Sequence, residues 1–215
     1  SYDTFQKNYD RIYRVVTSES RRDGSVDKNP GIPCPAYPAI KNDFPQLEKI
    51  VPVVTTSGNL VTVLGKNANA DVAISKKIIE DHNIIFTEPA YFDMFSTEWL
   101  TGNATSLRDP GNVVLSRTSA EKYFGDWENA AGSFLKLDNA VTLKVTGVVD
   151  VAPLNSDMNM GMFVSYESFK IYPDNFGYSD EWGSLSSNHQ LFVMLPPNVS
   201  AAGIQAQMPA FVKKY

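Results

Sequence analysis

Two histidines are the residues of this chain best suited to acid–base catalysis or metal binding. His82 follows Glu80 and Asp81, and His189 follows a short run of serine and asparagine before an apolar segment. Neither histidine has a second one four residues away, the helical spacing of paired zinc ligands. A metal or base role for His82, or a hydrolase built on either histidine, would need a partner that the sequence does not identify. The simpler interpretation of both is a solvated histidine at a strand end.

Three methionines, Met158, Met160 and Met162, alternate with other residues. Alternation in a strand places all three on one face, and thioether sulfur suits Cu(I) outside the cytoplasm. An apolar face that packs inward explains the same spacing, because methionine fills irregular gaps in a core. No cysteine or histidine lies nearby in the sequence to complete a site. We therefore predict packing here, without a metal.

Motifs for nucleotide binding and covalent catalysis are absent from the sequence. The nearest candidate for a phosphate loop has Gly58 and Gly65 seven residues apart instead of five, and Asn67 stands where Ser or Thr would hold magnesium. No Gly-x-Ser-x-Gly segment could present a nucleophilic serine. The single cysteine, Cys34, cannot form an internal disulfide or a multi-thiolate metal site. We therefore predict no catalytic residue, no cofactor-binding residue and no metal ligand.

Aromatic side chains crowd residues 172–182, the aromatic loop, which is otherwise rich in glycine, aspartate and serine. Rings on a polar loop can stack on sugars or grip a peptide, and they can equally fill a seam between two parts of a fold. The candidate contact surface consists of Tyr172, Phe176, Tyr178 and Trp182. A secreted module that binds a glycan or a peptide through this loop is therefore an alternative function.

Length and composition exclude several classes of protein. The chain has 215 residues, of which 43% are hydrophobic and 12% aromatic, and disordered chains lack such content. Apolar runs such as Leu191–Leu195 stop after about five residues, whereas a helix that spans a membrane needs about 20. The net charge of −5 leaves no basic excess to neutralise phosphates. We predict no nucleic-acid partner.

Periodicity predicts a helix at the beginning of the chain that passes directly into a strand. Aromatic residues recur at three- and four-residue steps, as on one face of a helix, and from Ile12 the alternation of side chains suits a strand. Because the helix begins so abruptly, we expect a further segment to precede Ser1. The aromatic residues of this face are Tyr2, Phe5, Tyr9 and Tyr13.

The rest of the chain is predicted to alternate short helices with strands. Residues 19–31 are polar and predict a loop, and Asp138-Asn139 is a hairpin signal. Pro52 is expected at a sheet edge, because proline cannot donate to a ladder. Helices are predicted at Pro35–Asp43, Pro89–Phe95, Ser116–Tyr123 and Ser200–Tyr215, the last strained by Pro209. Strands are predicted at Leu47–Thr56, Leu60–Leu64, Val72–Ser75, Lys77–Phe86, Asn112–Leu115, Leu135–Leu137, Val141–Asp150, Met158–Val164 and Gln190–Leu195.

Six short motifs occur in order along nearly the whole chain. They are Y-D-T-F…R-I-Y-R-V at residues 2–15, a short helix ending in F-P at 35–45, T-E-P-A-Y-F-D-M-F at 87–95 with L-T-G at 100–102, V-V-L-S…A-E-K-Y-F-G at 113–125, V-T-G-V-V at 145–149, and F-V-S at 163–165. Each consists mostly of packing and turn residues. Together they resemble FtsX/MacB-type ABC transporter permeases, specifically the MacB-like periplasmic core domain between the first two transmembrane helices.

The resemblance implies an α+β fold with two subdomains. A porter-like α/β subdomain would be formed by both chain ends, residues 1–56 and 186–215, and a mainly-β (Sabre-like) subdomain, residues 57–185, would be inserted between them. Relatives continue past the helix at Pro209–Tyr215 with a further strand, so we expect the porter-like subdomain to be truncated here. The three methionines fall at positions where the family usually has Leu or Phe.

The resemblance also implies a non-catalytic periplasmic domain of an inner-membrane protein. It would couple ATP hydrolysis in the cytoplasm to export, efflux, extraction or signalling at the outer side of the inner membrane, with ATP handled by a separate ATPase subunit or domain and no cofactor in this domain. The helix of Tyr2, Phe5, Tyr9 and Tyr13 would be the mechanical link to the first transmembrane helix. The implied partners are the transmembrane helices of the same polypeptide, a cytoplasmic ABC ATPase, a second permease copy and a periplasmic partner protein.

Overall fold

A large mixed β-sheet organises the chain. The computed structural model describes residues 9–73, 75–95, 97–151 and 160–215. Within them, eleven strands form one sheet in the order β1-β13-β4-β7-β12-β9-β11-β10-β5-β6, with β8 also paired to β11, and β2 and β3 form a separate hairpin. The strands are β1 (Ile12–Val15), β2 (Thr17–Ser20), β3 (Val26–Asn29), β4 (Lys49–Thr56), β5 (Asn59–Gly65), β6 (Lys76–Glu80), β7 (Ile84–Thr87), β8 (Glu98–Thr101), β9 (Asn112–Ser116), β10 (Phe134–Leu137), β11 (Val141–Asp150), β12 (Met162–Ser165) and β13 (His189–Met194).

Short helices cover the two faces of the sheet. They are α1 (Ala36–Asp43), α2 (Ala90–Met94), α3 (Arg117–Phe124), α4 (Tyr166–Ile171), α5 (Pro173–Phe176), α6 (Ala201–Gln205) and α7 (Met208–Lys214), with 3₁₀ turns at Tyr9–Arg11, Ala104–Arg108 and Trp127–Asn129. Among the residues described, no helix combines the length and apolarity needed to cross a membrane. The mixed sheet with its helices confirms the predicted α+β class.

Alternation along the central strands divides the core into two clusters. On β7, Ile84 and Phe86 belong to one cluster and Ile85 to the other; on β12, Phe163 belongs to the second. The second cluster is covered by α2, and the first by α1, α3, α4 and the C-terminal helices. Because both faces are covered, these strands are almost entirely apolar instead of alternating with polar residues.

Strands from the two chain ends lie side by side at one end of the sheet. β1 pairs with β13 and β13 pairs with β4, all antiparallel. β4 then continues through hydrogen bonds to β7, which belongs to the middle of the chain. The division into residues 1–56 with 186–215 and an insert of 57–185 stays a prediction.

Predictions that depend on a few consecutive residues, such as helix ends and tight turns, are confirmed. Ser116 caps α3 by accepting a hydrogen bond from the Ser119 amide, and Gly125 ends the helix at φ 81°. Asp138 and Asn139 both have positive φ and turn the chain between β10 and β11. The helix predicted from Pro35 is α1.

Other predictions are wrong for identifiable reasons. The strand predicted at Lys77–Phe86 is two strands, β6 and β7, because a turn with His82 at φ 55° separates them. The loop predicted at residues 19–31 overlaps the β2–β3 hairpin, which begins at Thr17 and whose polar strands lack an apolar face. The described residues of Val72–Ser75 form a turn. β8, α4 and α5 were not predicted from the sequence.

Two further differences between the predicted and the observed structure involve proline residues. Pro52 lies in the interior of the sheet, since β4 has β13 on one side and β7 on the other. Pro52 pairs with Leu191 of β13. The pairing of β4 with β7 ends one residue later in the chain, at Val53–Thr87. Pro52 therefore lies just outside that ladder, where no amide proton is needed. Pro209 lies in the first turn of α7, so the helix predicted at Ser200–Tyr215 is divided into α6 and α7.

Candidate functional site

Arg11 fixes the point where the N-terminal segment enters the sheet. Its Nη1 donates to the Glu48 carboxylate at 2.6 Å and to the carbonyl oxygen of Leu195 at 2.7 Å. The Leu195 amide in turn donates to the Arg11 carbonyl at 3.0 Å. The side chain of Arg11 is 21% exposed and that of Glu48 38%, so water screens the ion pair only partly. One residue thus joins the N-terminal segment to the chain before β4 and the chain after β13.

The predicted link residues are placed only in part by the structure. Tyr2 and Phe5 lie outside the described residues. In the described residues the predicted helix is replaced by the 3₁₀ turn Tyr9–Arg11. The strand predicted from Ile12 is confirmed as β1, where Tyr13 pairs with Val193. The ring of Tyr13 is exposed. The mechanical role of the Tyr2, Phe5, Tyr9 and Tyr13 positions stays a prediction.

Three rings of the aromatic loop pack against the core. The Phe176 ring lies 4.6 Å from Phe86, and the Tyr178 ring lies 5.4 Å from Phe169 in an edge-on arrangement. Tyr172 packs against the same cluster. The Tyr178 hydroxyl donates to Asp180, and partial burial together with this carboxylate raises the pKa of Tyr178 to about 12. These rings close the fold beneath the loop instead of standing free in solvent.

Trp182 differs from the other three because it is exposed at the end of the loop. Its ring stacks on Tyr215 with centroids 4.9 Å apart, next to Phe211. Lys214 bonds the Asp43 carboxylate at 2.7 Å and so holds α7 against α1. The structure therefore divides the predicted contact surface: Tyr172, Phe176 and Tyr178 lie at the core, and Trp182 lies at the C-terminal helix. Their role as a contact surface stays a prediction.

His189 is buried, so its prediction as a solvated strand-end residue is wrong. Its Nδ1 lies 3.0 Å from the Ile32 carbonyl oxygen and its Nε2 lies 2.8 Å from the Tyr166 hydroxyl. A carbonyl oxygen only accepts, so Nδ1 carries the proton and Nε2 accepts from Tyr166. Burial lowers the pKa of His189, which favours this neutral form. Neither nitrogen is free to act as a base or a metal ligand.

His82 is exposed in the turn after β6, as predicted. Its neighbour Glu80 points elsewhere: the Glu80 carboxylate is buried and accepts from Lys122 Nζ and the Tyr123 hydroxyl, both at 2.7 Å, and from the Asn83 amide at 3.1 Å. Glu80, one of the two acidic residues that precede His82, thus already joins β6 to α3.

The methionine segment does not form a row on one strand face. β12 begins only at Met162, which packs in one core cluster, whereas Met160 packs against the other. Met158 lies outside the described residues. Across the described ranges, no cluster of three or more His, Cys, Asp or Glu could hold a metal ion.

The role of Arg11 at this junction was not predicted from the sequence. Arg11 lies inside the R-I-Y-R-V motif, but its partner Glu48 is 37 residues away and Leu195 is 184 residues away. Only the strand order β1-β13-β4 brings these three residues together. A single sequence contains no signal for such a pair beyond the opposite charges themselves.

Comparison with known proteins identifies a family that matches this chain and solved structures that share its fold. The family described as MacB-like periplasmic core domain matches residues 1–211, and no curated protein matches the sequence. A domain assigned to a permease protein from Porphyromonas gingivalis has a TM-score of 0.75 at 21% identity, covering 97% of this chain and 83% of that one. The periplasmic region of MacB from Actinobacillus actinomycetemcomitans has a TM-score of 0.60 at 17% identity, covering 94% and 81%. At these identities the structural likeness shows a shared fold.

Proposed function

The chain belongs to the family of MacB-like periplasmic core domains, and from this membership we propose that it transmits movement of membrane helices to the periplasmic side without performing chemistry itself. As a member of this family it is a periplasmic domain of an ABC transporter permease in the inner membrane. Membrane helices and an ABC ATPase are the general partners of such permeases. In our proposal, ATP hydrolysis by that ATPase provides the movement, and this domain uses it for export, extraction or signalling.

The observation that carries the proposal is the Arg11 junction. A segment can transmit force into a domain only if it is fixed to it at the point of entry. Arg11 supplies two side-chain hydrogen bonds and one backbone hydrogen bond to two separate parts of the chain. Charge-assisted hydrogen bonds are each worth about 1.5–3 kcal/mol when shielded from water, and less when partly exposed. Movement of the segment before Arg11 would therefore reach β4 and β13 together.

The absence of chemistry is part of the proposal. Both nitrogens of His189 are bonded within the fold and the Glu80 carboxylate has three donors, so these two side chains serve packing. We propose that the domain needs no cofactor, with ATP bound by the ATPase. A second permease copy and a periplasmic protein are the partners we propose for its outer surface.

The test uses the full-length permease reconstituted with its ATPase. Four glycines inserted between Asp10 and Arg11 would separate the upstream segment from the junction while leaving the junction itself intact. A spin label at the exposed residue Asp126 and another at the outer end of a membrane helix would report the distance with and without ATP. We expect the ATP-dependent change in distance to disappear in this variant while ATP hydrolysis continues.

The matched control carries the same four glycines after Asp23, in the exposed turn between β2 and β3. This variant should retain the ATP-dependent change in distance. If the insertion before Arg11 also retains it, movement does not enter through the N-terminal segment and the proposal is wrong.

A further inference from the structure

A cavity of about 200 Å³ lies beneath the aromatic loop, between that loop and the ends of β4 and β7. Val54 and Phe86 line it from the sheet, and Phe169 and Phe176 line it from α4 and α5. His189 and Cys34 complete the inner wall. The mouth is formed by exposed residues of the loop and of the segment that leads to β13.

The inner wall is mainly aromatic. The Phe86 ring lies 4.6 Å from Phe176 and 5.8 Å from Phe169, with interplanar angles of 52° and 43°. Aromatic rings prefer such tilted contacts at 4.5–7 Å and gain from them beyond the area buried. A further flat ring inserted here can contact Phe86 and Phe176 in the same manner, whereas a saturated ring of equal size gains only the burial.

The cavity carries no formal charge among the described residues that line it. Its two titratable residues are His189 and Cys34. Burial lowers the pKa of His189 and raises the pKa of the Cys34 thiol, so both are neutral near pH 7. An ionised ligand would lose its hydration without gaining an opposite charge. The lining therefore selects against carboxylates, phosphates and amines.

Polar groups are confined to the mouth. Asn175, Ser184, Ser186 and Asn188 are exposed there. Within the described part of the chain, the side chains of Asn175 and Ser184 take part in no hydrogen bond with other residues. They can therefore bond a hydroxyl or amide on the outer end of a ligand. Apolar walls with a few polar groups at one end are typical of small-molecule sites.

We propose that this cavity binds a small uncharged aromatic molecule of one or two fused rings, with its ring against Phe86 and Phe176 and its polar group at the mouth. The volume sets the size, because an apolar cavity of about 150 Å³ holds benzene and drug-sized ligands need about 300 Å³ or more. This binding is independent of the transmission of movement proposed above.

The first test compares three probes of similar size: phenol, cyclohexanol and benzoate. Each is titrated into the domain while the amide NMR shifts of Thr55 and Gly177, which line the cavity, are followed. Phenol should bind about three- to tenfold more tightly than cyclohexanol, because only phenol gains ring contacts, and benzoate should cause no shift. Equal binding of cyclohexanol would contradict the aromatic class, and binding of benzoate would contradict the uncharged one.

A matched pair of variants tests whether the preference for phenol over cyclohexanol arises in this cavity. Phe176 and Phe124 are both half-buried phenylalanines packed on the same core cluster, but only Phe176 lines the cavity. Phe176→Leu keeps an apolar wall but removes one of the two rings that contact the ligand, so the preference for phenol over cyclohexanol should decrease. Phe124→Leu should leave it unchanged. An unchanged preference in Phe176→Leu would overturn the proposal.

Cys34 provides an independent readout because it is the one cysteine of the chain and lines the cavity. Saturating phenol should slow the reaction of Cys34 with methyl methanethiosulfonate at least threefold, and benzoate at the same concentration should not. If phenol leaves the reaction rate unchanged, phenol binds elsewhere and the cavity is not its site.

Discussion

The hydroxyl of Tyr123 lies 2.7 Å from Oε1 of Glu80, and this buried bond ties the terminal strand β6 to helix α3. Removing the hydroxyl with Tyr123→Phe should lower the free energy of unfolding by about 1–2 kcal/mol, because Glu80 keeps Lys122 and Asn83 but loses one buried donor. Urea unfolding of the domain measures the change.

Tyr13→Phe is the matched control for this prediction. The ring of Tyr13 is exposed, and among the described residues its hydroxyl bonds only the Asp10 carbonyl, at 3.2 Å, so its loss should change the free energy of unfolding by less than about 0.5 kcal/mol. Equal effects of the two substitutions would show that the Tyr123–Glu80 bond is not specially stabilising.

Arg11→Ala should loosen one end of the sheet. The variant loses the bonds to Glu48 and to the Leu195 carbonyl, and we expect a loss of about 1–3 kcal/mol. Hydrogen exchange offers a local measurement, because the Leu195 amide, which bonds the Arg11 carbonyl, should exchange faster. Arg14→Ala removes an exposed arginine three residues further along, in β1, and should leave that exchange rate unchanged. A normal Leu195 exchange rate in Arg11→Ala would contradict the role of the junction.

His189 should make the domain less stable in mildly acidic solution. Burial lowers its pKa in the folded state from the usual 6.5, so below about pH 6.5 the unfolded chain binds a proton that the folded one does not. Stability therefore falls as the pH falls, by up to about 1.4 kcal/mol per pH unit until the folded-state pKa is reached. His189→Gln should remove this part of the slope between pH 7 and 5.5 in urea unfolding. His82→Gln, which changes an exposed histidine, should leave it in place.

Gly31→Ala should be strongly destabilising. A Cβ atom at Gly31 would overlap the backbone of Ser186 and Ser187, and backbone cannot move aside as a flexible side chain can. We expect a loss of about 3 kcal/mol or more, read from thermal unfolding or from loss of soluble protein. Gly183→Ala is the control, since nothing lies within 4 Å of the added atom and φ is not positive there. Similar melting temperatures for the two variants would contradict the close approach.

What the sequence predicts correctly here is local. The Ser116 cap, the Gly125 helix end and the Asp138-Asn139 turn depend on a few consecutive residues. The family resemblance also comes from such packing and turn residues, and it leads to the correct family. These features need no knowledge of which strands become neighbours.

The site residues were not predictable in the same way, because they depend on distant partners. His189 is neutral and buried only because the Ile32 carbonyl and the Tyr166 hydroxyl reach it from 157 and 23 residues away. The run of polar residues before His189 predicts that its side chain is exposed to solvent. The side chain is buried instead, because the strand that begins at His189 is buried in the fold. Similarly, Phe176 and Tyr178 lie in a polar segment but pack on Phe86 and Phe169 from other elements.

The two terminal strands of the sheet bear on how the protein resists aggregation. β1 and β6 end the strand order, so each has one strand neighbour within the described structure. β6 begins with the exposed lysines Lys76 and Lys77, and β1 is only four residues long and carries the exposed Arg14. Charge and shortness both hinder the pairing of such strands between molecules. The two ends of the sheet thus leave backbone groups unpaired while disfavouring the addition of a strand from another molecule.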